Sequence, residues 1–219
     1  FQYSVLEETF FKGIFKLMPA HCFTFKDGKM DIKRYWEPVF EADRSKSLEQ
    51  YVDEIDAAMQ DSIRAHGVAD VEVGSCLSSG VDSSYVAACF RGDKTFTVGF
   101  AYEKYNEIDY AKALSKKINI KNYSMLISKK EFWDSIPTVQ YHMDEPLADA
   151  SAIALYFVTK TAAEQVKTCM SGEGADELFG GYNIYREPHD LLPLTRLPRP
   201  VRKGLGAMAQ RLPKMKGKN

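Results

Sequence analysis

Short β-strand patterns alternate with helical patterns through the middle of this chain of 219 residues. The strand patterns lie at 71–77, 95–100, 122–127 and 166–170. Between them apolar residues recur at helical spacing, which predicts helices near 47–66, 83–90, 108–118 and 150–164, and a further helix capped by Ser128. Because parallel strands are joined by crossover helices, this order predicts an α/β fold, a parallel sheet with helices on both faces.

Two β patterns precede this region, at 21–25 and 30–36. They are joined by the sequence KDGK, in which the Asp27-Gly28 step is a strong hairpin signal. A lone hairpin cannot bury its own apolar face. Residues 1–40 are therefore expected either to pack on the following domain or to belong to a domain whose remainder lies outside this chain.

The composition changes after residue 185. Residues 186–219 contain nine Lys or Arg, two Asp or Glu, and no Phe, Tyr or Trp. This predicts short exposed helices or the beginning of a helical region, with binding of phosphate or an acidic partner as the alternative. We therefore divide the chain into residues 1–40, a core at 41–190 and a basic helical tail at 191–219.

Composition narrows the class of protein. The formal net charge of −1 gives no indication of a nucleic-acid partner, and no apolar run approaches the roughly 20 residues that span a bilayer. No signal peptide is recognisable, and the chain begins with Phe1, which suggests a fragment or a processed product. Widely spaced cysteines argue against zinc and against a disulfide framework, and favour free, buried thiols in a cytoplasmic protein. They are Cys22, Cys76, Cys89 and Cys169.

The sequence SCLSSGVDSS, residues 75–84, joins a strand pattern to a helix pattern. A helix N-terminus offers unpaired N–H groups and partial positive charge, serine hydroxyls add donors, and Gly80 allows close approach of an anion. The loop has no lysine, so it is not a Walker A loop, and a polyphosphate there would need a metal, which Asp82 can hold. The simpler interpretation makes Asp82 and Ser83 helix caps. The string resembles the S-[SG]-G-x-D-S signature of the ATP pyrophosphatase loop.

A second polar loop, SGEGADELFGGY at 171–182, follows the fourth strand pattern. Its carboxylates Glu173, Asp176 and Glu177 repel one another, and a bound Mg²⁺ would relieve that repulsion. An exposed acidic turn is the alternative, although it does not account for the four glycines. Ligands of parallel α/β sheets bind outside the carboxyl ends of the strands, where both loops are expected.

Together the two loops resemble the synthetase domain of the glutamine-hydrolysing asparagine synthetase family, within the ATP pyrophosphatase (PP-loop) superfamily. The segments 141–153 and 105–107 fit the same family, so the resemblance covers about residues 45–190. It implies an adenine nucleotide alpha hydrolase-like fold. The hairpin region resembles the end of that family's amidotransferase domain, so residues 1–40 are expected to be a β-hairpin remnant of it.

The resemblance implies a reaction. The side chain of aspartate attacks the α-phosphate of ATP, giving β-aspartyl-AMP and pyrophosphate, and ammonia then converts the activated acyl group into asparagine and AMP. Asp82 and Asp176 would hold Mg²⁺, and Glu173 would take a proton from the attacking ammonia. The residues expected to bind ATP and pyrophosphate are Leu77, Ser78, Ser79, Gly80, Asp82, Ser83, Ser84, Val98, Ser171 and Gly172. Substrate contacts are expected from Asp144, Glu145 and Asp149.

This chain departs from the family pattern. The family's glutaminase nucleophile is an amino-terminal Cys, and residue 1 here is Phe. Glutamine hydrolysis is therefore not expected, and ammonia would come from a glutaminase domain outside this chain. Ser79 replaces a Gly of many members, and the family's synthetase domain continues beyond residue 219. A β-lactam synthetase-like or other ATP-dependent amidating enzyme, and an inactive nucleotide-binding fragment, are the alternatives. A core left open at its end would favour a homodimer.

Overall fold

The computed structural model describes residues 4–41, 43–90, 92–102 and 106–211. Phe1, Tyr105 of the 105–107 segment, and the last part of the basic tail from residue 212 lie outside these ranges. The strands are β1 His21–Lys26, β2 Lys29–Arg34, β3 Val73–Cys76, β4 Lys94–Phe100, β5 Lys121–Ile127 and β6 Thr168–Met170. The helices are α1 Leu48–His66, α2 Val81–Phe90, α3 Ile108–Lys117, α4 Lys129–His142, α5 Ser151–Ala163, α6 Ala175–Phe179, α7 Glu187–Asp190, α8 Leu192–Thr195 and α9 Arg199–Arg211. The chain divides into two compact units, residues 1–172 and 173–219.

The first unit contains a four-stranded sheet in the order β5-β4-β3-β6, and all of its strand pairs are parallel. The alternation of strands and helices predicted from the sequence is thus confirmed. Successive strands step outward from β3 to β4 and β5, and the chain then returns to place β6 on the other side of β3. This reversal makes the β3/β6 boundary the topological switch point of the sheet, the usual ligand crevice of such folds.

Helices cover both faces of the sheet, as predicted. One face packs against α1, α2 and α3 through the buried residues Ile63, Val73, Leu77, Val86, Ala87, Ala111 and Met170. The opposite face packs against α4 and α5 through Phe96, Ile127, Val139, Ala152, Ile153, Phe157, Ala162 and Val166. Burial of apolar side chains on both sides is what makes a parallel sheet stable.

Two helices begin at capping boxes. The hydroxyl of Ser47 accepts from the backbone N–H of Gln50, whose side chain accepts from the N–H of Ser47. Ser128 and Glu131 make the same reciprocal bonds at α4, which confirms the cap predicted at Ser128. Each motif satisfies two N–H groups that a helix end would otherwise leave unpaired.

The predicted hairpin is confirmed. Asp27 and Gly28 form its turn with φ angles of 51° and 74°, the left-handed pair that a two-residue type I′ connection requires. Phe23 lies opposite Ile32 and Phe25 opposite Met30, and these four side chains are all exposed. The hairpin is therefore formed by local turn chemistry and cross-strand pairing, without burial of its apolar face.

One ion pair ties the N-terminal segment to the region between α4 and α5. Lys16 Nζ lies 3.2 Å from Glu145 Oε2 and donates to the carbonyl of Ser4 at 2.7 Å. Both charged side chains are about three-quarters buried, at 29% and 26% exposure. This contact connects residues far apart in sequence within the first unit.

All four cysteines are free, as predicted, but Cys22 lies on the hairpin and is exposed, and the other three are half-buried and not fully buried. Cys76 and Cys169 lie on the neighbouring strands β3 and β6, with their sulfur atoms 3.5 Å apart. The hydrogen bond with Cys76, together with burial, raises the pKa of the Cys169 thiol well above its ordinary value. That thiol is therefore held in its protonated form.

The second unit contains α6 to α9 and a 3₁₀ turn at Asn183–Tyr185. From residue 187 to residue 208 every side chain except that of Leu197 is exposed, and α9 is longer than the short helices that were predicted. Over the ranges that the structure describes, no helix is both long enough and apolar enough to cross a membrane.

Candidate functional site

The first polar loop lies at the carboxyl end of β3, at the switch point. It comprises residues 77–80 and leads directly into α2. Across the switch point, Ser171 and Gly172 follow the carboxyl end of β6. The structure thus places the first loop and the beginning of the second at the same edge of the sheet, as the sequence predicted.

Serine side chains order the first loop. The backbone N–H of Ser78 donates to Ser83 Oγ at 3.0 Å, the two hydroxyls lie 2.8 Å apart, and the N–H of Gly80 donates to Ser78 Oγ at 3.1 Å. The hydroxyl of Ser84 donates to the carbonyl of Gly80 at 2.7 Å. Serines therefore hold the loop onto the first turn of α2 in a preformed conformation.

The backbone N–H of Ser79 has a different partner. It donates to Glu107 Oε2 at 3.0 Å, across the gap between β3 and the loop after β4. Residues 105–107 belong to the sequence resemblance, but no role was predicted for Glu107. Its position in the sequence could have identified it, because an acidic residue shortly after a parallel strand lies at the edge of the sheet where ligands bind.

Asp82 lies in the first turn of α2 and is half-buried. In the part of the chain that the structure describes, its carboxylate has no hydrogen-bond or ion-pair partner. The side-chain bonds at the start of α2 come from Ser83 and Ser84 instead, so capping does not account for Asp82. The partial positive charge of the helix N-terminus favours a carboxylate at this position.

Gly172 lies directly against the first turn of α2. A β-carbon at this position would come within 2.8 Å of the Ser83 nitrogen and within 2.9 Å of Asp82 Cβ. No side chain can be accommodated without moving one backbone away from the other. The close approach of the strand–loop junction after β6 to α2 therefore requires glycine.

The rest of the second loop belongs to the second unit. Gly174 and Gly180 have φ angles of 91° and 69° and flank α6, whose five residues contain Asp176 and Glu177. A β-carbon on Gly181 would overlap the Asp176 carboxylate. The glycines thus allow a tight turn in which the backbone packs against the Asp176 side chain. An acidic loop that was only exposed to solvent would not require glycine at these positions. Glu173 is exposed and Asp176 is half-buried.

Tyr182 completes this loop. Its hydroxyl donates to Glu177 Oε1 at 3.1 Å, and this hydrogen bond, with a smaller contribution from burial and the neighbouring carboxylates, raises the pKa of Tyr182 to about 12. The hydrogen bond fixes Glu177, one of the three carboxylates of the loop.

Within the described ranges, no group of three or more His, Cys, Asp or Glu side chains is arranged to hold an ion. A Mg²⁺ ion bound with a nucleotide needs only one or two carboxylates, since phosphate and water oxygens complete its shell. The pairing of Asp82 with Asp176 combines residues of the two units and stays a prediction.

Two of the residues expected to bind ATP, Leu77 and Val98, have packing roles. Leu77 is 2% exposed, its N–H donates to the carbonyl of Phe96 at 2.8 Å, and its carbonyl accepts from the hydroxyl of Thr97 at 2.8 Å. Val98 is half-buried against the core beneath α4 and α5. Leu77 is therefore primarily a core residue at the end of β3, and its contact with ATP stays a prediction.

The acidic segment between α4 and α5 also has partners within the protein. Glu145 pairs with Lys16, and Asp144 is exposed with a φ angle of 59°. Asp149 Oδ1 accepts from the N–H of Ser151 at 2.9 Å, and hydrogen bonds from Ser151 lower the pKa of the Asp149 carboxyl. The proposed substrate contacts of these residues stay predictions, since Glu145 and Asp149 are already engaged.

Taken together, the strand order, the serine-rich loop at the switch point and the glycine contact across it define a parallel α/β protein of the doubly wound class. More particularly, the chain belongs to the asparagine synthase family, whose family model matches residues 54–217.

The chain is similar to curated proteins over most or all of its length. It is 40% identical over its whole length to glutamine-hydrolysing asparagine synthetase 1 of Bacillus subtilis, of which it covers 35%. It is 42% identical over 86% of its length to a provisionally named glutamine-hydrolysing asparagine synthetase of Mycobacterium bovis, of which it covers 30%. A more distant relative, amidase chyE of Penicillium rubens, is 25% identical over 92% of the chain. The chain thus spans about a third of the length of the relatives that it matches.

Proposed function

We propose that this chain carries the ATP-dependent step of asparagine synthesis. In this reaction the side-chain carboxylate of aspartate attacks the α-phosphate of ATP, pyrophosphate leaves, and ammonia attacks the resulting β-aspartyl-AMP to give asparagine and AMP. The observation that carries the proposal is the preformed serine loop at the switch point, with Gly172 packed against the first turn of α2. Family membership supplies the reaction class.

The chemistry requires two anions to approach each other, so the site must offset negative charge before it can orient the reactants. In our proposal the N–H groups of the loop and of the first turn of α2 bind the β- and γ-phosphates. Ser78, Gly80, Ser83 and Ser84 shape that cradle, as their hydrogen bonds suggest. This arrangement binds pyrophosphate as the leaving group and needs no lysine.

The residues present fit a Mg²⁺ ion accompanying ATP. The half-buried carboxylate of Asp82, which has no partner in the described part of the chain, supports this fit. Asp82 and Asp176 would hold the ion, and bound Mg²⁺ would offset phosphate charge. Glu173 would accept the proton of the attacking ammonia. It is an exposed carboxylate and directly follows Gly172 in the sequence.

The remaining assignments are also proposals. Aspartate and ATP are the substrates, and nitrogen arrives as ammonia released from glutamine by a glutaminase that we place outside this chain. A cytoplasmic location and a homodimer remain predictions. A second candidate is amide chemistry on a substrate other than aspartate, for which the similarity to the relative named as an amidase is the supporting observation.

ATP–pyrophosphate exchange tests the proposal. The purified chain should incorporate labelled pyrophosphate into ATP when aspartate and Mg²⁺ are present, and should lose this activity when either is left out. Exchange with a different carboxylate but not with aspartate would support the second candidate. Absence of ATP binding by a folded sample, measured by titration calorimetry with and without Mg²⁺, would refute both.

A further inference from the structure

Glu107 occupies the N-cap position of α3 but does not cap that helix. Its backbone φ and ψ are −97° and −1°, and its side chain makes no cap hydrogen bond. The preceding residue performs this role instead, since Asn106 Oδ1 accepts from the N–H of Ile108 at 3.2 Å. A carboxylate at an N-cap normally bonds to its own helix. Here it is free to reach another element.

The end of β4 makes this arrangement possible. Gly99 leaves space for the Asn106 side chain, because a β-carbon on Gly99 would lie 2.6 Å from Asn106 Oδ1. The segment after β4 can therefore fold back over the strand end and bring Glu107 to the first loop. Gly99 leaves room for Asn106, Asn106 caps α3 in place of Glu107, and the Glu107 carboxylate therefore remains available to other elements. It accepts the hydrogen bond from the N–H of Ser79.

The three successive amides of the first loop are not equivalent. The amide of Ser78 donates to the neutral hydroxyl of Ser83 on α2, and that of Gly80 to the neutral hydroxyl of Ser78, whereas that of Ser79 donates to a carboxylate. Glu107 is half-buried, and within the described ranges it forms no ion pair with a cation. A carboxylate is favoured near helix N-termini, and Glu107 lies at the N-terminal end of α3 and contacts the loop before α2. In this structure, a carboxylate thus bonds to the loop at the point where a phosphate is proposed to bind.

The geometry points to Glu107 as an internal counter-anion of the phosphate loop. It occupies the Ser79 amide while the loop holds no phosphate, and a phosphate group of ATP or pyrophosphate displaces it. This inference rests on the proposed function. It assigns Glu107 a regulatory role at the same site: the bond keeps the loop ordered, and an incoming anion must compete with the carboxylate. A polyphosphate competes well because it reaches several donors at once, whereas a small monoanion reaches few.

Competition with Glu107 lowers the apparent affinity for pyrophosphate, because only the fraction of molecules in which the Ser79 amide is not bonded to Glu107 can bind it fully. Titration calorimetry with inorganic pyrophosphate measures this for the 219-residue chain and for Glu107→Gln, which keeps the side-chain shape but removes the charge. We expect Glu107→Gln to bind pyrophosphate about fivefold more tightly. The matched control is Asp109→Asn, an equal charge change on an exposed residue of the same helix that lies outside the loop. It should leave the affinity nearly unchanged, since exposed charges are screened by salt.

A second measurement separates this role from a merely structural one. Amide hydrogen exchange at Ser79 should be slow in the parent chain without ligand and faster in Glu107→Ala, while the thermal transition of the core is retained. Equal or weaker pyrophosphate binding by folded Glu107→Gln, with the parent chain binding normally, would overturn the counter-anion role and leave the proposed function intact. Failure of the folded parent chain to bind pyrophosphate or ATP would overturn both.

Discussion

The backbones of Gly172 and Asp82 are in close contact across the switch point of the sheet, and a β-carbon on Gly172 could not be accommodated. The two residues are 90 positions apart in the sequence (172 minus 82) and come from the two loops predicted to form one site. Their contact fixes the separation between the strand–loop junction after β6 and the first turn of α2. The dimensions of the candidate phosphate site depend on that separation.

Substitution Gly172→Ala should therefore damage the site. A β-carbon would meet backbone atoms at 2.8 to 2.9 Å, and neither the Ser83 nitrogen nor the Asp82 backbone can rotate away as a flexible side chain would. We expect at least a tenfold loss of ATP affinity and about 1–3 kcal/mol of destabilisation, measured by calorimetry and urea unfolding. The control is Gly206→Ala on α9, where a β-carbon meets nothing within 4 Å and alanine should be neutral or stabilising. Unchanged ATP binding by Gly172→Ala would contradict the importance of this contact.

Substitution Ser83→Ala should disorder the first loop. Ser83 Oγ accepts from the N–H of Ser78 and contacts its hydroxyl, so its removal leaves a part-buried amide without its partner. We expect about 1 kcal/mol of destabilisation and a severalfold weaker affinity for pyrophosphate. Ser47→Ala, which removes the cap of α1, should cost about the same stability without changing pyrophosphate affinity. Equal effects of both variants on binding would show that Ser83 acts only through stability.

Substitutions Asp82→Asn and Asp176→Asn test whether one Mg²⁺ ion joins the two loops. Each variant should reduce the enhancement of ATP binding by Mg²⁺, and the folded state should change little, because Asp82 has no partner to lose in the described part of the chain. If both carboxylates hold the same ion, the double variant should be little worse than either single one. Additive losses of Mg²⁺ dependence would place the two residues in separate roles. Thermal unfolding of each variant serves as the control for folding.

Asp149 gives a pH dependence of stability. Its carboxylate accepts hydrogen bonds from Ser151, and these lower its pKa below the ordinary value of 3.8. A lowered pKa in the folded state means that the stabilisation is complete above the unfolded value and is lost as pH falls through the folded value. We expect Asp149→Ala to be about 1 kcal/mol less stable at pH 7, with a difference that shrinks below about pH 4. A difference that is independent of pH down to the acid transition would contradict this assignment.

Much of the local structure could be predicted from the sequence, because it depends on neighbouring residues. The cap predicted at Ser128 and the hairpin turn predicted at Asp27-Gly28 follow from side-chain-to-backbone bonds and from tolerated φ values. Helix boundaries were close but not identical, since α2 begins at Val81, two residues before the predicted start. The predicted site residues of the first loop also lie together, because they are contiguous in sequence.

The acidic segment shows the limits of such reasoning. Glu145 and Asp149 attract attention in the sequence as charged residues near the family motifs, yet the structure engages one with Lys16 and the other with Ser151. Leu77 was predicted to bind ATP, which stays a prediction, and the structure adds that its side chain lies in the core beside Ala87 and Ala111. Charge and position in a motif do not reveal which partner a side chain meets.

The sequence alone determined the alternation of strands and helices, the hairpin and the serine-rich loop, since periodicity, turn residues and capping act over a few positions. Only the tertiary structure decided that β6 pairs with β3, that Gly172 then packs on Asp82, and that Glu107 reaches the amide of Ser79. The physical reason is that strand order depends on which nonlocal pairing buries the most apolar surface on both sides of the sheet. The resulting strand order brings together residues that are far apart in the sequence, and their spacing in the sequence does not indicate that they are in contact.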